Sequence, residues 1–322
     1  MEPVDLRLMD EFQRDLPLVR RPFAAIGERL GLAEAEVLAR LARLQAQGAV
    51  ARVGATVRPN TAGASTLCAM AVPEARVDAV AELVGAEPGV NHSYLREDLW
   101  NLWFVATAAD AGALAATLAR IRAATGLGLL DLPMERAFNI DLGFRLRGGR
   151  TAMAPDRPAL PMVLTGADRQ ILAALSSGLP LVSRPFAALG LPEAEVLARI
   201  ERLCAARIIT RLGVILRHRP LGYRANAMVV WDLAPALVPA AGLALAALPG
   251  ITLCYQRRTV PGLWPYALYS MIHAQSRPEA LAVLAEARAL PELAGAAFRP
   301  LFSTRCFKQT SALIGQPEGR AA

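Results

Sequence analysis

Lysine, histidine and cysteine are scarce in this 322-residue sequence, which contains one lysine, three histidines and four cysteines. The cysteines lie far apart and form no Cys-x-x-Cys pair, which argues against a zinc site and a disulfide framework. No run of about 18 uncharged apolar residues occurs, so we expect no membrane-spanning helix and no membrane partner. The first fifteen residues are polar and acidic rather than signal-like, and we expect a cytoplasmic location.

Arginine supplies almost all of the positive charge, because Lys308 is the single lysine in a chain of net charge +7. A basic chain of pI about 9.8 suits an anionic partner, such as nucleic acid, a membrane surface or a polyanionic small molecule. The chain is also rich in alanine, leucine and glycine. A general bias in amino-acid composition therefore explains arginine in place of lysine equally well. The positions of the arginines are therefore more informative than their number.

The sequence consists of two diverged copies of one module. Segments recur in the same order in both halves: Leu16–Ala25 with Leu179–Ala188, Glu34–Arg40 with Glu193–Arg199, Arg52–Gly54 with Arg211–Gly213, Tyr94–Arg96 with Tyr255–Arg257, and Arg136–Phe138 with Arg305–Phe307. Such preserved order indicates an internal repeat. We predict a helix-turn-helix unit at 1–60, an α+β unit at 61–147, a linker at 148–162, and the second copy at 163–220 and 221–322.

The first part of each copy has the periodicity of short helices. Phe23, Ile26 and Leu30 recur at helical spacing, and Val37 and Leu41 belong to an apolar face within 34–47. Three short helices with a tight turn predict a winged helix-turn-helix, followed by wing strands at 49–53 and 55–57.

The second part alternates between strands and helices in the order βαββαβ. Strands are predicted at 65–72, 90–95, 99–107 and 128–140, and helices at 75–85 and 110–124. The second copy repeats this order from Asn226 to Ala312. The fold class is thus α+β, with two tandem copies of a winged helix-turn-helix plus a ferredoxin-like unit, a layout that resembles Lrp/AsnC-type regulators.

DNA binding is the first function that a helix-turn-helix suggests, but the predicted recognition helices open with carboxylates: Glu34, Glu36, Glu193 and Glu195. Carboxylates would repel DNA phosphates, and side chains that read base edges are scarce in both helices. Four arginines could still contact a phosphate backbone: Arg40, Arg43, Arg199 and Arg202. We expect a helix-turn-helix kept for packing and dimerisation, and nucleic acid is not an expected partner.

Polar and aromatic side chains are concentrated on the predicted strands. His92, Tyr94 and Arg96 share one face of a strand, because side chains alternate with period 2. Such a face makes a poor core and suits the wall of a ligand site. His273 falls on a strand of the second copy, whereas His218 lies between Arg217 and Arg219 and is expected at the surface.

Two motifs resemble the siroheme decarboxylase family, of the fused NirD/NirL type related to AhbA/AhbB. Asn91–Arg96 followed by Asn101–Phe104 is similar to its H-x-Y-x-R and N-L-W-F pattern, and Arg257 followed by Trp264–His273 is similar to its W-P-Y-N-L and M-I-H pattern. Ala267 departs from that pattern, which commonly has Asn. Leu253 stands in the second copy where the first has His92, so the halves are not equivalent.

The resemblance implies removal of CO₂ from the C12 and C18 acetates of siroheme, giving 12,18-didecarboxysiroheme for haem d1 or haem formation. Catalysis is then expected from His92 and His273, assisted by Tyr94 or Tyr255. Expected substrate-binding residues are Arg52, Arg96, Asn101, Trp103, Arg136, Arg211, Arg257, Arg258, Trp264, Tyr266 and Arg305. No separate cofactor and no protein-held metal are expected, because the conjugated macrocycle can delocalise charge and iron belongs to the siroheme substrate.

Two regulator functions remain as alternatives to decarboxylation. In a haem- or tetrapyrrole-sensing Lrp/AsnC-type regulator, His92 or His273 would bind iron and the helix-turn-helix would bind DNA. An amino-acid-responsive regulator fits less well, because the strands carry bulky tryptophan, tyrosine and arginine side chains. In every case we expect the copies to pair within one chain as a pseudo-dimer, and the sequence leaves further homo-oligomerisation open.

Overall fold

The computed structural model describes residues 1–140, 146, 156–217 and 219–312. The described residues form two compact units. Unit 1 contains residues 1–62, 146, 158–217 and 219–222, and unit 2 contains residues 63–140, 156–157 and 223–312. Each unit therefore combines corresponding parts of both copies. His218 and much of the predicted linker at 148–162 lie outside the described residues.

The α-helices of the described chain are α1 (Pro3–Glu11), α2 (Pro22–Leu30), α3 (Glu34–Ala46), α4 (Val77–Ala86), α5 (Ala111–Thr125), α6 (Gly166–Ser177), α7 (Glu193–Ala205), α8 (Val238–Ala247) and α9 (Arg277–Arg288). Short 3₁₀ helices occupy Glu74–Arg76, Pro185–Leu189 and Pro291–Leu293. None of the helices within the described ranges is both long enough and apolar enough to cross a membrane.

The strands are β1 (Val50–Val57), β2 (Ala64–Met70), β3 (Val90–Arg96), β4 (Leu102–Ala108), β5 (Leu130–Leu132), β6 (Met134–Asn139), β7 (Ile209–Leu216), β8 (Ala225–Asp232), β9 (Ile251–Arg257), β10 (Leu268–Ala274) and β11 (Ala297–Gln309). The α+β fold class and the tandem arrangement predicted from the sequence are confirmed.

Unit 1 contains the helix-turn-helix segments of both copies. Helix α2 ends at Gly31, whose φ of +73° favours glycine, and the tight turn leads into α3. The second copy has a 3₁₀ helix at Pro185–Leu189 in place of α2, where its sequence is shorter. Phe23 and Phe186 nevertheless fill corresponding positions in the buried core.

The predicted pair of wing strands is wrong, because each copy contributes one continuous strand instead. Strand β1 pairs antiparallel with β7 of the other copy, and Gly54 lies opposite Gly213. A Cβ at Gly54 would lie 2.2 Å from the carbonyl oxygen of Leu175, and one at Gly213 would lie 2.3 Å from that of Gln13. Because both positions lack a side chain, the paired strands can pack closely on the backbone of Leu175 and Gln13. The strand of the other copy takes the place of the second strand of a hairpin.

Unit 2 contains the predicted βαββαβ segments of both copies in one nine-stranded sheet, in the order β5-β2-β4-β3-β11-β8-β10-β9-β6. The last β segment of each copy is exchanged between the copies. Strand β11 pairs with β8 of its own copy and continues along β3 of the first copy. Likewise β5 pairs with β2 of its own copy, and after Pro133 the chain continues as β6 along β9 of the second copy.

Clusters of buried apolar side chains lie on both faces of this sheet. Helices α4 and α5 cover β2–β4 around Val80, Phe104 and Leu118, and α8 and α9 cover the corresponding strands of the second copy around Trp231 and Leu268. The face away from the helices, called the inner face below, carries a third cluster that includes Trp103, Trp264 and Tyr269. This inner face carries most of the unusual polar and aromatic residues found in the sequence.

Candidate functional site

Strand β3 places a histidine, a tyrosine and an arginine in a row on the inner face. The rings of His92 and Tyr94 stack with centroids 6.5 Å apart, and the Arg96 guanidinium lies 5.7 Å from the Tyr94 ring centre. Tyr94 also lies opposite Trp103 of strand β4. The shared face expected from the period-2 spacing is therefore present, and it borders a buried tryptophan.

An aromatic cluster joins the two copies on the inner face. The Trp264 ring lies 5.3 Å from Trp103 and 4.8 Å from Tyr266, measured between centroids. Its Nε1–H donates a hydrogen bond of 2.7 Å to the hydroxyl of Tyr269, whose ring stacks on Tyr255 at 5.9 Å. These planar side chains form a buried aromatic cluster on the inner face, where strands of the two copies meet.

Tyr269 is a site residue that the sequence analysis missed. It is fully buried, and this burial raises the pKa of its hydroxyl well above the ordinary value, while the Trp264 hydrogen bond opposes that rise. Period-2 spacing indicates this residue, because Tyr269 and His273 are four residues apart on one strand and so share a face.

Two arginines, the buried Arg96 and the half-buried Arg257, occupy corresponding positions on the inner face. Arg96 donates from Nη1 to the carbonyl of Leu301 at 2.9 Å, and Arg257 donates from Nη1 to the carbonyl of Leu132 at 2.7 Å. Burial lowers the pKa of Arg96 to about 10, although nearby Tyr255 and Tyr94 oppose the decrease. Arg257 lies over the ring of Tyr255, 4.6 Å from its centre.

Neither Arg96 nor Arg257 forms an ion pair within the part of the chain that the structure describes. The Nε atoms of Arg96 and Arg257 are buried and have no hydrogen-bond acceptor among those residues. A buried donor without an acceptor is costly, and a buried cation normally pairs with an anion. The arrangement suits an anionic ligand that supplies carboxylates to both guanidinium groups.

Both predicted catalytic histidines lie on the inner face, but in different copies and on non-equivalent strands. His92 on β3 has Nδ1 2.6 Å from Oδ1 of Asn91. His273 on β10 has Nδ1 2.7 Å from Oγ1 of Thr252. Each histidine is therefore held through the same ring nitrogen by a neighbouring polar side chain.

Two predicted substrate-binding arginines point to the opposite, helix-covered face. Arg136 lies 4.8 Å from the ring centre of Phe138, and Arg305 lies 4.5 Å from that of Phe307. Arg305 also forms an ion pair of 2.5 Å with Asp78 at the start of α4. The strand register thus separates this pair from the inner-face cluster.

Other predicted residues have local partners in unit 2. Arg258 pairs with Asp131 at 3.0 Å and remains half-exposed. The Asn101 amide exchanges two hydrogen bonds with the backbone of Val72, which holds a turn. Ala267, where the family pattern has Asn, accepts a 2.9 Å hydrogen bond through its backbone carbonyl from the N–H of Arg257.

Arg52 and Arg211 lie in unit 1, on the paired strands β1 and β7. Arg52 donates to the carbonyl of Ala55 at 3.1 Å, and burial lowers the pKa of its guanidinium. Arg211 is buried as well.

The recognition-helix arginines of unit 1 are engaged by carboxylates of the protein. Arg40 and Arg43 contact the buried Asp5 at 3.0 and 2.8 Å. In the second copy, Arg199 and Arg202 contact the buried Asp168 at 2.9 and 3.5 Å. These contacts offset part of the positive charge that a phosphate backbone would need.

The starts of the recognition helices are joined to the other copy. Glu34 of α3 pairs with Arg21 and accepts a hydrogen bond of 3.1 Å from the hydroxyl of Ser183. Glu193 of α7 pairs with Arg184 and lies 3.7 Å from Arg20 of the first copy. These ends are used for contacts between the copies, as expected for a helix-turn-helix kept for packing.

The fold and the inner-face cluster define a two-copy ligand-binding protein of the AsnC-like class. A family model described as AsnC-like ligand binding domain matches residues 62–139 and 220–308. A second, described as siroheme decarboxylase NirDL-like HTH domain, matches residues 5–50 and 168–209. The chain is 64% identical over 320 residues to the siroheme decarboxylase NirDL subunit of Paracoccus denitrificans, with 98% of each chain covered. It belongs to the NirDL family of siroheme decarboxylases.

Two further comparisons agree with this assignment. The chain is similar to the siroheme decarboxylase NirD subunit of Pseudomonas aeruginosa, with 50% identity over 150 residues, 47% of this chain and 100% of that protein. A crystal structure of the siroheme decarboxylase NirDL has a TM-score of 0.71 and 25% identity, covering 97% of this chain and 94% of that one. The family resemblance stated from the sequence motifs is therefore confirmed.

Proposed function

We propose that this chain is a carboxy-lyase that removes CO₂ from the C12 and C18 acetates of siroheme, giving 12,18-didecarboxysiroheme for haem d1 or haem formation. Family membership at 64% identity over nearly the whole chain supports the reaction. One observation in the structure supports the ligand class. The inner face joins an aromatic cluster to two arginines, the buried Arg96 and the half-buried Arg257, that form no ion pair within the described residues.

Siroheme matches this surface in shape and in charge. The flat macrocycle suits a site beside the apolar cluster of Trp103, Trp264 and Tyr266, whose rings pack on one another and are buried. Its peripheral acetates and propionates suit Arg96 and Arg257, since a guanidinium can bind a carboxylate through two parallel hydrogen bonds. We infer that these two arginines are the principal carboxylate-binding residues of unit 2.

The proposed chemistry needs a dry, aligned acetate and a proton donor. The bond between the acetate methylene and its carboxylate breaks, CO₂ leaves, and the electron pair remains on the methylene carbon, where the conjugated ring delocalises it. A proton then joins that carbon and leaves a methyl group. We propose His92 and His273 as the donors, because imidazole exchanges protons near neutral pH, with Tyr94 and Tyr255 assisting. The reaction needs no separate organic cofactor.

Anaerobic incubation of the purified protein with siroheme, followed by chromatography and mass spectrometry, tests this function. A product lighter by two CO₂ is expected, and the His92→Ala/His273→Ala double variant should give none. Normal decarboxylation by that variant would exclude the two histidines as donors. Tight binding without a change in mass would exclude the decarboxylase and favour a tetrapyrrole-sensing regulator.

A further inference from the structure

Hydrogen bonding determines which nitrogen of His92 carries a proton in the neutral ring. The Thr107 hydroxyl donates to the carbonyl of Gly89 at 3.1 Å, so its single proton is used. The same oxygen must therefore accept from Asn91 Nδ2, which lies 3.3 Å away. This orients the Asn91 amide so that Oδ1, which only accepts, faces His92 Nδ1 at 2.6 Å. His92 must then donate from Nδ1.

The same reasoning applies to His273 with different residues. The Thr252 hydroxyl donates its single proton to the carbonyl of Met271 at 3.0 Å. Its oxygen lies 2.7 Å from Nδ1 of His273 and can only accept from it. His273 therefore also carries its proton on Nδ1, and Nε2 bears the lone pair in the neutral ring.

Asn91 and Thr252 occupy corresponding positions in the two copies. Each lies three residues before the tyrosine of the repeated Tyr-x-Arg segment, on strands β3 and β9. On the neighbouring strands, Thr107 pairs with Ser65 of β2 and His273 pairs with Asn226 of β8 in equivalent registers. A hydrogen bond joins the same two positions in both copies, Asn91 to Thr107 and Thr252 to His273.

We propose that Asn91 and Thr252 are positioning residues that hold both histidines in the Nδ1-protonated tautomer. Each then presents Nε2 as the nitrogen that delivers the proton. During reaction the cationic ring gives its Nε2 proton to the methylene carbon that has lost CO₂, and it becomes the neutral Nδ1–H tautomer already matched to its partner. The catalytic part of this inference rests on the proposed function, whereas the tautomers are a property of the ligand-free protein.

Nuclear magnetic resonance of protein carrying ¹⁵N-labelled histidine tests the tautomers directly. The chain has three histidines, so single substitutions assign every ring signal. In the wild type, both His92 and His273 should show protonated Nδ1 and unprotonated Nε2 above their pKa values. An Nε2–H tautomer at either ring would overturn the assignment for that ring.

Matched variants separate positioning from a general effect on structure. Thr252→Val keeps the side-chain shape but removes the acceptor, so the His273 signals should move toward the Nε2–H tautomer while those of His92 stay unchanged. Asn91→Leu should change His92 alone. Thr252→Ser retains the hydroxyl and should restore the wild-type His273 signals. Unchanged His273 signals in Thr252→Val would overturn the role given to Thr252.

Kinetics with siroheme connect the tautomer to catalysis. Thr252→Val and Asn91→Leu should each lower kcat roughly ten- to a hundredfold, by analogy with the loss of the outer partners that orient metal-binding histidines. KM should change little, and Thr252→Ser should recover most of the lost kcat. A changed tautomer with unchanged kcat would overturn the catalytic role. A wild type with the expected tautomers but no decarboxylation would instead refute the proposed function.

Discussion

Arg96 of the first copy donates a hydrogen bond of 2.9 Å to the backbone carbonyl of Leu301, which belongs to the second copy. The relationship is reciprocal, because Arg257 of the second copy donates to the carbonyl of Leu132 in the first. Both carbonyls lie on the last β segments, which the copies exchange. Each copy thus supplies a backbone acceptor to an arginine of the other, and one chain holding both copies keeps these partners at a high effective concentration.

Substitution of Arg96 or Arg257 should weaken siroheme binding strongly. Arg96→Met and Arg257→Met each remove charge-assisted hydrogen bonds worth about 1.5–3 kcal/mol, which corresponds to roughly ten- to 150-fold in Kd. Absorbance titration with siroheme measures this effect. Arg305→Met is the matched control, since Arg305 pairs with Asp78 on the opposite face of the sheet. Equal losses of affinity for the inner-face and control variants would contradict the assignment.

Gly242→Ala should destabilise unit 2 by about 1–3 kcal/mol, the usual cost of overpacking a core. A Cβ at Gly242 in α8 would lie 2.4 Å from the ring of Phe138, which strand exchange brings from the first copy. Urea unfolding measures the change, and Phe138→Leu in the same protein should recover part of it.

Gly85→Ala provides the control for Gly242→Ala. Gly85 lies in helix α4 with nothing within 4 Å of an added Cβ, so alanine should stabilise the helix by up to about 1 kcal/mol. Destabilisation of similar size at both positions would show that the contact with Phe138 is not the cause.

Asp168→Asn should destabilise the protein at neutral pH but not at low pH. Burial raises the pKa of Asp168, but hydrogen bonds from Thr165 and the charge and hydrogen bond of Arg199 outweigh it and hold that pKa below 3.8. A depressed pKa contributes stability above the unfolded-state pKa and loses it as pH falls through the folded-state value. Urea unfolding at pH 7 and near pH 3 should show the difference from wild type shrinking. A constant difference would contradict the linkage.

The wild-type protein should bind DNA no better than a non-specific protein, with Kd weaker than about 10⁻⁶ M at physiological salt. The recognition-helix arginines already contact Asp5 and Asp168. Fluorescence anisotropy with duplex DNA at two salt concentrations provides the measurement. The Asp5→Asn/Asp168→Asn double variant should bind more tightly and with a steeper salt dependence, because it removes the buried carboxylate partner of those arginines and leaves only exposed or part-exposed partners such as Glu36 and Glu195. Tight, sequence-dependent binding by the wild type would refute the packing role.

Most elements of the fold were predictable from local pattern. The helix predicted over 34–47 is α3, and Asp110 accepts a hydrogen bond from the N–H of Ala113 at the start of α5. The exchange of the last β segment was not predictable, because a strand has the same residue pattern whichever copy it pairs with. The wing was mispredicted for the same reason, since β1 finds its partner in the other copy.

The candidate site was likewise predictable from the sequence only in part. Period-2 spacing placed His92, Tyr94 and Arg96 together, and it would have placed Tyr269 with His273 had it been applied there. The opposite orientations of Arg96 and Arg305 could not be read from composition or repeat matching. They depend on the register shifts where β11 pairs with β3, which only the folded sheet reveals.

The sequence alone established the tandem repeat, the two-part layout of each copy and the family resemblance, because repeats, periodicity and motifs are properties of neighbouring residues along the chain. Tertiary structure decided which residues share the inner face, which of its arginines lack a protein carboxylate in the described chain, and which nitrogen of each histidine donates. Those outcomes depend on contacts between residues far apart in sequence, such as Arg96 with Leu301. Exchange of strands between the copies creates these contacts, and the local residue pattern does not indicate which strands will pair.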